Sequence, residues 1–417
     1  MEKRIYSFSI ALILIILCGV KFENSFALNP VSDEKKKSEI DNLPEIRKVK
    51  DLIIYKDSLF YAAFPSVVKR PNGEFLVAFR RAPDRRLFGE EGISHTDPNS
   101  YLVMVRSHDG ENWTKEPELI FAHPFGGSQD PCLLQLKDGT LICTSYIWGL
   151  IRKDADSILN RKITILKDRK SDHSTSFTFL GGYLVRSADG GKNWQGPFYP
   201  PPIPTDIQVN VWGKPLPAYN RGALCEGKNG RIYWVVAGNS ADSPNKISTH
   251  LLISDNKGIT WNYSGPVASD EKISFDETSL CETPKGDLVA FLRTANMPDQ
   301  LSCIARSTDG GKSFSWKSMG FYGYPLHALK LPDNRVLLTY GYRHKPFGIR
   351  ARILNPECTD FSTAPEFLIR EDGGSGDLGY CWSAMMDKNL ALVVYYFNTD
   401  NGIRFIAGTI LELKLKN

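Results

Sequence analysis

Four short segments of this chain repeat one pattern: a serine, Asp or Asn two residues on, a glycine, and a large aromatic to close. They are SHDGENW (residues 107–113), RSADGGKNW (186–194), SDNKGITW (254–261) and STDGGKSF (307–314). Asx near Gly between apolar runs is a strong hairpin signal, because glycine enters positive φ cheaply and the Asx side chain bonds the backbone of the turn. The aromatic packs under the turn where the next strand begins, so each copy marks a connection between antiparallel strands. Copies spread around a repeat fold cannot share one active site. Asp109, Asp189, Asn256 and Asp309 therefore read as turn builders, not catalysts.

A second repeat counts the units. A turn followed by a short apolar strand occurs six times: PNGEFLVAF from Pro71, KDGTLICTS from Lys137, KNGRIYWVV from Lys228, KGDLVAFLR from Lys285, PDNRVLLTY from Pro332 and DKNLALVVY from Asp387. Each is the second arm of a hairpin. The first arms are FPSVVKR from Phe64, DPCLLQL from Asp130, NRGALCE from Asn220, DETSLCE from Asp276, YPLHALK from Tyr324 and GYCWSAM from Gly379. Four-stranded antiparallel units recurring at roughly 50 to 90 residues predict an all-β fold, a six-bladed β-propeller. Repeats of an elongated solenoid are shorter and more even. Strands near residues 51–55 and 404–413 are placed to close the ring by pairing the two ends of the chain.

The flanks and composition bound the function. MEKRIYSFSIALILIILCGV is a short charged start followed by an apolar run too short for a spanning helix, and it reads as a signal peptide over residues 1–27, with Ala27 at the cleavage position. Leu17 is large where a lipoprotein site before Cys18 wants a small residue, which argues against anchoring there. Residues 28–50 read as a polar leader and 51–417 as the propeller. Export to the periplasm or medium is thus expected, without stable membrane insertion. A net charge of +4, with no basic run beyond residues 35–37, leaves no footprint for nucleic acid. Removing Cys18 leaves seven of the eight cysteines, an odd number at irregular spacing, unlike a disulfide framework or a zinc pattern. Most read as buried apolar fillers, with room for one disulfide. No metal or other cofactor is implied. Two insertions, residues 150–180 and the proline-rich 199–219, either shape a binding face or decorate the rim.

The S-x-D-x-G-x-x-W turns resemble the Asp boxes of the sialidase (BNR-repeat) superfamily, and the resemblance runs from about Tyr55 to Leu413. In a propeller the inner strand of each blade begins at one face of the channel, so residues heading the six first arms converge. Those heads are polar: Asp130, Arg221, Glu277, His327 nearby, and Tyr380, with Arg80, Arg81, Arg293 and Arg343 or Arg350 after second arms. The resemblance implies roles for several of them. DETSLCETPKGDLVAFLR matches the segment in which a Glu heads one strand and an Arg ends the next, giving Glu277 and Arg293. DLGYCWSAMMDKNLALVVYY matches the segment of the nucleophilic tyrosine, giving Tyr380. Asp97 lies where the family keeps its acid/base carboxylate, and Arg343, with Arg350 close behind, is the choice for a carboxylate clamp.

This set suits hydrolysis of an acidic sugar with retention. Arginines bind the sugar carboxylate through paired charge-assisted bonds. A neutral tyrosine made nucleophilic by Glu277 avoids the repulsion a carboxylate nucleophile would meet beside that group. The resemblance breaks where the family's first clamp arginine precedes Ile-Pro, because here the stretch is Ala63-Phe64-Pro65. Sialic acid is therefore disfavoured, and RRAPDRR (80–86) supplies a cation from another direction, for a uronate or a sulfated sugar. The expected partner is an acidic oligosaccharide or polysaccharide. β-Elimination is the alternative chemistry, with His95, His327 or Tyr380 as base, and a non-catalytic glycan-binding propeller is the third reading.

Overall fold

The computed structural model describes residues 45–88, 96–152, 165–166, 175–239, 244–399 and 402–416. Over these the chain forms six antiparallel sheets arranged as the blades of a propeller. Blade 1 is Phe60–Lys69, Phe75–Pro83, Tyr101–Ser107 and Glu118–Phe121, each strand pairing with the next. Blades 3, 4 and 5 repeat that plan from inner strands at Cys225–Glu226, Ser274–Glu282 and Leu326–Lys330. Blade 2 is larger. Its inner strand is split into Gly127–Ser128 and Cys132–Gln135, both on Leu141–Arg152, and Ile165–Leu166 from the first insertion adds to Thr175–Ser187.

Blade 6 closes the ring with both ends of the chain. Gly379–Met385, Leu390–Phe397 and Phe405–Leu413 are followed outward by Ile46–Tyr55, with Ile46 opposite Leu413. The pairing is the expected one, but the closing strand begins at Ile46, inside the stretch read as leader. It is an edge strand whose outer side chains are charged, as edges exposed to water tend to be. Arg47 pairs with Glu412, Lys48 with Asp51 and Lys50 with Glu111, while Ile46 is buried, so a strand carries the composition of a tail. The expected signal peptide, its cleavage position and Cys18 lie outside the described residues.

Each inner strand starts at the mouth of the channel, the second returns to it, and the third leads away, so the Asp boxes joining third to fourth strands sit at the opposite face. Their chemistry is internal. Ser187 Oγ donates to Asp189 Oδ1 at 2.8 Å and accepts the Gly191 N–H at 2.8 Å, and Asp189 Oδ1 also accepts the N–H groups of Lys192 and Asn193. The Asn193 N–H and side-chain amide hold the Asp189 carboxyl well below its usual range. The Ser–Asx contact recurs at 2.9 Å for Ser107–Asp109, 3.1 Å for Ser254–Asn256 and 2.7 Å for Ser307–Asp309. The closing aromatics Trp113, Trp194, Trp261 and Phe314 pack on the core clusters between blades.

Lysines at the hairpin turns latch neighbouring blades. Lys137 N–H donates to Glu226 and its Nζ to the Gly227 carbonyl; one blade on, Lys228 N–H donates to Glu282 and its Nζ to the Thr283 carbonyl. All seven cysteines of the propeller are free thiols, six of them buried. Trp261 is 7% exposed and stacks edge-on against Trp234 at 5.5 Å. Trp261→Ala is expected to cost about 3–5 kcal/mol, read from the urea midpoint at unchanged slope.

Candidate active site

The inner strands of blades 1, 4 and 6 are kinked at the mouth, with register slips between Ala63 and Ser66, Phe275 and Thr278, and Gly379 and Trp382. A bulge re-aims side chains that regular alternation would send to opposite faces. On blade 4 it lets two consecutive residues, Asp276 and Glu277, line one cavity. On blades 1 and 6 it places Phe64 at φ 58° and Tyr380 at φ 54°, a region that aromatic residues rarely enter and that must be held by surrounding structure.

Tyr380 is the centre of the site. Its hydroxyl donates to Glu277 Oε1 at 2.5 Å and accepts from Arg293 Nη1 at 3.2 Å, while the same Nη1 donates to Glu277 Oε2 at 2.5 Å. The other Arg293 nitrogen, Nη2, bonds the Tyr324 hydroxyl. Burial and the neighbouring Glu277 charge hold the Tyr380 phenol protonated, well above its ordinary value. Burial alone would raise Glu277, but the Arg293 charge and the bond from Tyr380 more than offset it, so this carboxylate stays ionised. Arg343 lies 5.3 Å from the Tyr380 ring and 4.9 Å from that of Tyr324. Its Nε donates to the Leu378 carbonyl at 3.0 Å and Nη2 to the Tyr396 hydroxyl at 2.9 Å. Tyr396 in turn donates to Asp377, which Arg404 and Tyr61 also bind.

Beside this centre are groups with unmet hydrogen-bonding capacity. Arg80, across the hairpin from Ala63, is fully buried, and none of its three side-chain nitrogens has a partner. Asp130 is equally buried; Tyr146 donates to its Oδ2 at 3.1 Å and its Oδ1 is unpaired. Burial pushes the Asp130 carboxyl up to about 6, against the pull of Arg221. Burial likewise pushes Asp276 up to about 6, against the pull of Arg293. A 390 Å³ cavity opens beside Tyr146, the partner of Asp130, walled by Tyr146, Trp148, Phe179 and Tyr219 and carrying Gln208, Arg221, Asp276 and Glu277.

Other expected site residues are placed elsewhere or hold different roles. Arg81 follows Arg80 on an extended strand and therefore faces the other way, bonded to Tyr101 and Asp57. Arg350 sits within blade 5, over the Tyr342 ring and bonded to the Arg370 carbonyl. His327 is buried, stacked on Trp382 at 4.7 Å with Nδ1 accepting the Ser383 N–H; burial and nearby Arg221 push it down to about 3. Arg221 lines the cavity, as expected, but as a strut and not a free clamp: Nη2 donates to the Pro65 and Tyr380 carbonyls at 3.0 and 3.2 Å, and Nη1 reaches Cys132 Sγ at 3.7 Å. Asp97 is held by Arg85 through bonds of 2.6 and 2.9 Å; those bonds and the Asn99 N–H overcome the effect of burial and lower its carboxyl, which does not suit a proton donor. His95 lies outside the described residues. Residues not anticipated include Asp276 and Tyr324, both the first letters of arms already recognised, Asp377 and Tyr396, the two ends of the segment matched for Tyr380, and Tyr146, which no pattern marked.

Comparison with known proteins agrees with this architecture. Residues 165–353 match the family described as BNR repeat-like domain. A crystal structure of a protein of unknown function from Dyadobacter fermentans is 62% identical, covers 89% of this chain and all of its own, and superposes with a TM-score of 0.84. The NanB sialidase of Streptococcus pneumoniae, as its K499G mutant, is 13% identical, covering 90% of this chain and 72% of its own at a TM-score of 0.58. An α-L-arabinanase of Penicillium chrysogenum bound to arabinobiose is 12% identical, covering 88% and 99%, also at 0.58. At those identities the two enzymes share the fold with this chain. No curated protein matches it.

Because Arg221 satisfies two buried carbonyls across the channel, Arg221→Met should cost about 1–3 kcal/mol for each carbonyl left unpaired. The measurement is equilibrium unfolding in urea. Arg81→Gln, on the other face of its strand, should leave ligand affinity unchanged.

Proposed function

We propose that this chain, which belongs to the sialidase (BNR-repeat) superfamily, is an exported glycoside hydrolase that removes an acidic sugar from the end of an oligosaccharide or polysaccharide with retention of configuration. The observation that carries this reading is the Tyr380–Glu277–Arg293 triangle, in which a neutral phenol is bonded to an ionised carboxylate and an arginine. Such a phenol can attack the anomeric carbon while its proton passes to Glu277, and Arg293 stabilises the charge growing on the phenol oxygen. The glycosidic C–O bond breaks as the leaving oxygen takes a proton from Asp276, whose carboxyl is raised to about 6 and which lines the cavity. In the second half, water gives its proton to the Asp276 carboxylate and attacks the anomeric carbon. The phenol leaves and recovers its proton from Glu277.

An acidic sugar is favoured because a buried guanidinium without hydrogen-bond partners, Arg80, gains most from an anionic or strongly accepting group. Arg343 flanks the same tyrosine from another side. With Ala63 fully buried where the family has an arginine, a uronate or sulfated sugar fits this charge arrangement better than sialic acid. Hydrolysis is preferred to elimination because the Tyr380 proton already has an acceptor in Glu277, whereas His327 is stacked and buried.

Incubation with sialylated, uronate-containing and sulfated glycans in oxygen-18 water decides the chemistry. Label at the new reducing end is the expected result; an unsaturated product without label would mean elimination. Tyr380→Phe should lower kcat by a factor on the order of 10³ or more.

The acid must hold its proton, so activity should fall as pH rises through about 6. Asp276→Asn should remove that limb and spare aryl substrates with good leaving groups. Asp97→Asn should keep the limb and lower the unfolding midpoint instead. The opposite pattern would return the proton-donor role to Asp97.

A further inference from the structure

Phe125 and Trp212 are 60% and 59% exposed, and their rings meet edge to face at 5.8 Å. They come from separate segments. Phe125 precedes the split inner strand of blade 2, and Trp212 stands at the tip of a small hairpin in the proline-rich insertion, closed by a bridge between Val209 and Pro215. Asn210 Oδ1 accepts the N–H groups of Trp212 and Lys214 at 3.0 and 3.1 Å, so the indole is presented by a built turn. Val211, beside it, packs on the core shared by blades 1 and 2. Tyr199, 53% exposed, bonds His123 Nε2 at 3.1 Å, and the His123 ring lies 5.8 Å from Phe125.

Short backbone steps link this patch to the cavity wall. Gln208, next to the hairpin's bridge residue Val209, lines the cavity wall. The Phe125 carbonyl and Gly126 abut Gly149 and the Trp148 carbonyl on the strand whose Trp148 ring forms another part of that wall. The aromatic cavity wall and the exposed rings thus stand on adjoining backbone. Rigid aromatic faces bordered by hydroxyl and imidazole groups suit a molecule with apolar faces and polar edges. Three rings are far fewer than the 20–30 or so residues a stable protein interface employs on each side.

We infer that Phe125, Trp212 and Tyr199 form a stacking subsite for the sugar units that continue the glycan beyond the cavity. The substrate is then an oligosaccharide or polysaccharide chain running over blade 2, and the 199–219 insertion is part of its binding face. This inference rests on the glycosidase reading of the cavity, and its test is arranged to survive failure of that reading.

The test compares the unsubstituted protein with the Phe125→Ala/Trp212→Ala variant; both positions are exposed, and Trp212→Phe serves as the conservative control. In the Tyr380→Phe background, migration is measured in native gels containing polygalacturonate, hyaluronan or sialylated mucin. Retardation in at least one gel, lost in the double variant and restored by Trp212→Phe alone, is expected. No retardation in any gel, or retardation indifferent to the two rings, overturns the proposal. With active protein, the ratio of kcat/KM on an oligosaccharide to that on an aryl monoglycoside of the same terminal sugar should fall about tenfold in the double variant; an unchanged ratio overturns it. Absence of turnover on every glycan would sink the hydrolase reading alone, because the gel measurement needs no catalysis. Self-association lost with the two rings would assign them to a second copy of the chain and overturn the proposal.

Discussion

Arg221 crosses the channel of the propeller from blade 3 and donates to backbone carbonyls of blades 1 and 6, at Pro65 and Tyr380. The rings of Tyr380 and Trp382 lie 5.2 and 5.1 Å from its guanidinium, and the Cys132 sulfur of blade 2 is beside it. Two of these anchor points adjoin or occupy backbone that is otherwise unfavourable, since Phe64 and Tyr380 both have positive φ. Strain of that kind persists only when the surroundings over-determine it. The charge at the channel centre thus does mechanical work: it ties the ends of the ring together and holds the tyrosine in the conformation that presents its hydroxyl to Glu277.

The electrostatics follow from that placement. In a site this buried, each carboxyl is ionised or protonated according to the nearest cation. Glu277 has Arg293 in direct contact and is ionised; Asp130 and Asp276 have their cations at greater remove and are raised to about 6. Asp97 has Arg85 to itself and is lowered. Carboxyls with divided properties let one site both accept and supply a proton near neutrality. Sequence position cannot reveal the division, because it depends on which arginine reaches which oxygen.

Much of the fold is readable in the sequence. The four Asx–Gly turns and six hairpins carry short-range instructions, since turn geometry, alternation and the closing aromatic all act within about ten residues. Glu277, Arg293 and Tyr380 are legible for a related reason: they occupy the ends of arms whose topology sends them to one mouth, while their separate roles come from the family resemblance. Misplaced residues show where that logic stops. Arg81 and Arg350 have the right composition at the right end of a strand, but one step along a strand reverses the face, and a bulge of one residue restores it, as at Asp276 and Glu277. The closing strand from Ile46 was hidden for the opposite reason, because an edge strand facing water is as charged as a tail.

By itself, the sequence determined the class of the structure and the residue types available to its mouth, because local turns and alternating strands admit few architectures other than a six-bladed ring. Tertiary structure alone decided which of those residues work together. It committed Arg221 to the frame, left Arg80 buried without hydrogen-bond partners, and set Asp97 in a salt bridge while Asp276 keeps a raised carboxyl. It also joined Phe125 to Trp212 from separate segments of the chain. The physical reason is the same in each case. Burial and charge pairing are sums over neighbours brought together from distant parts of the chain, and no local pattern encodes those sums.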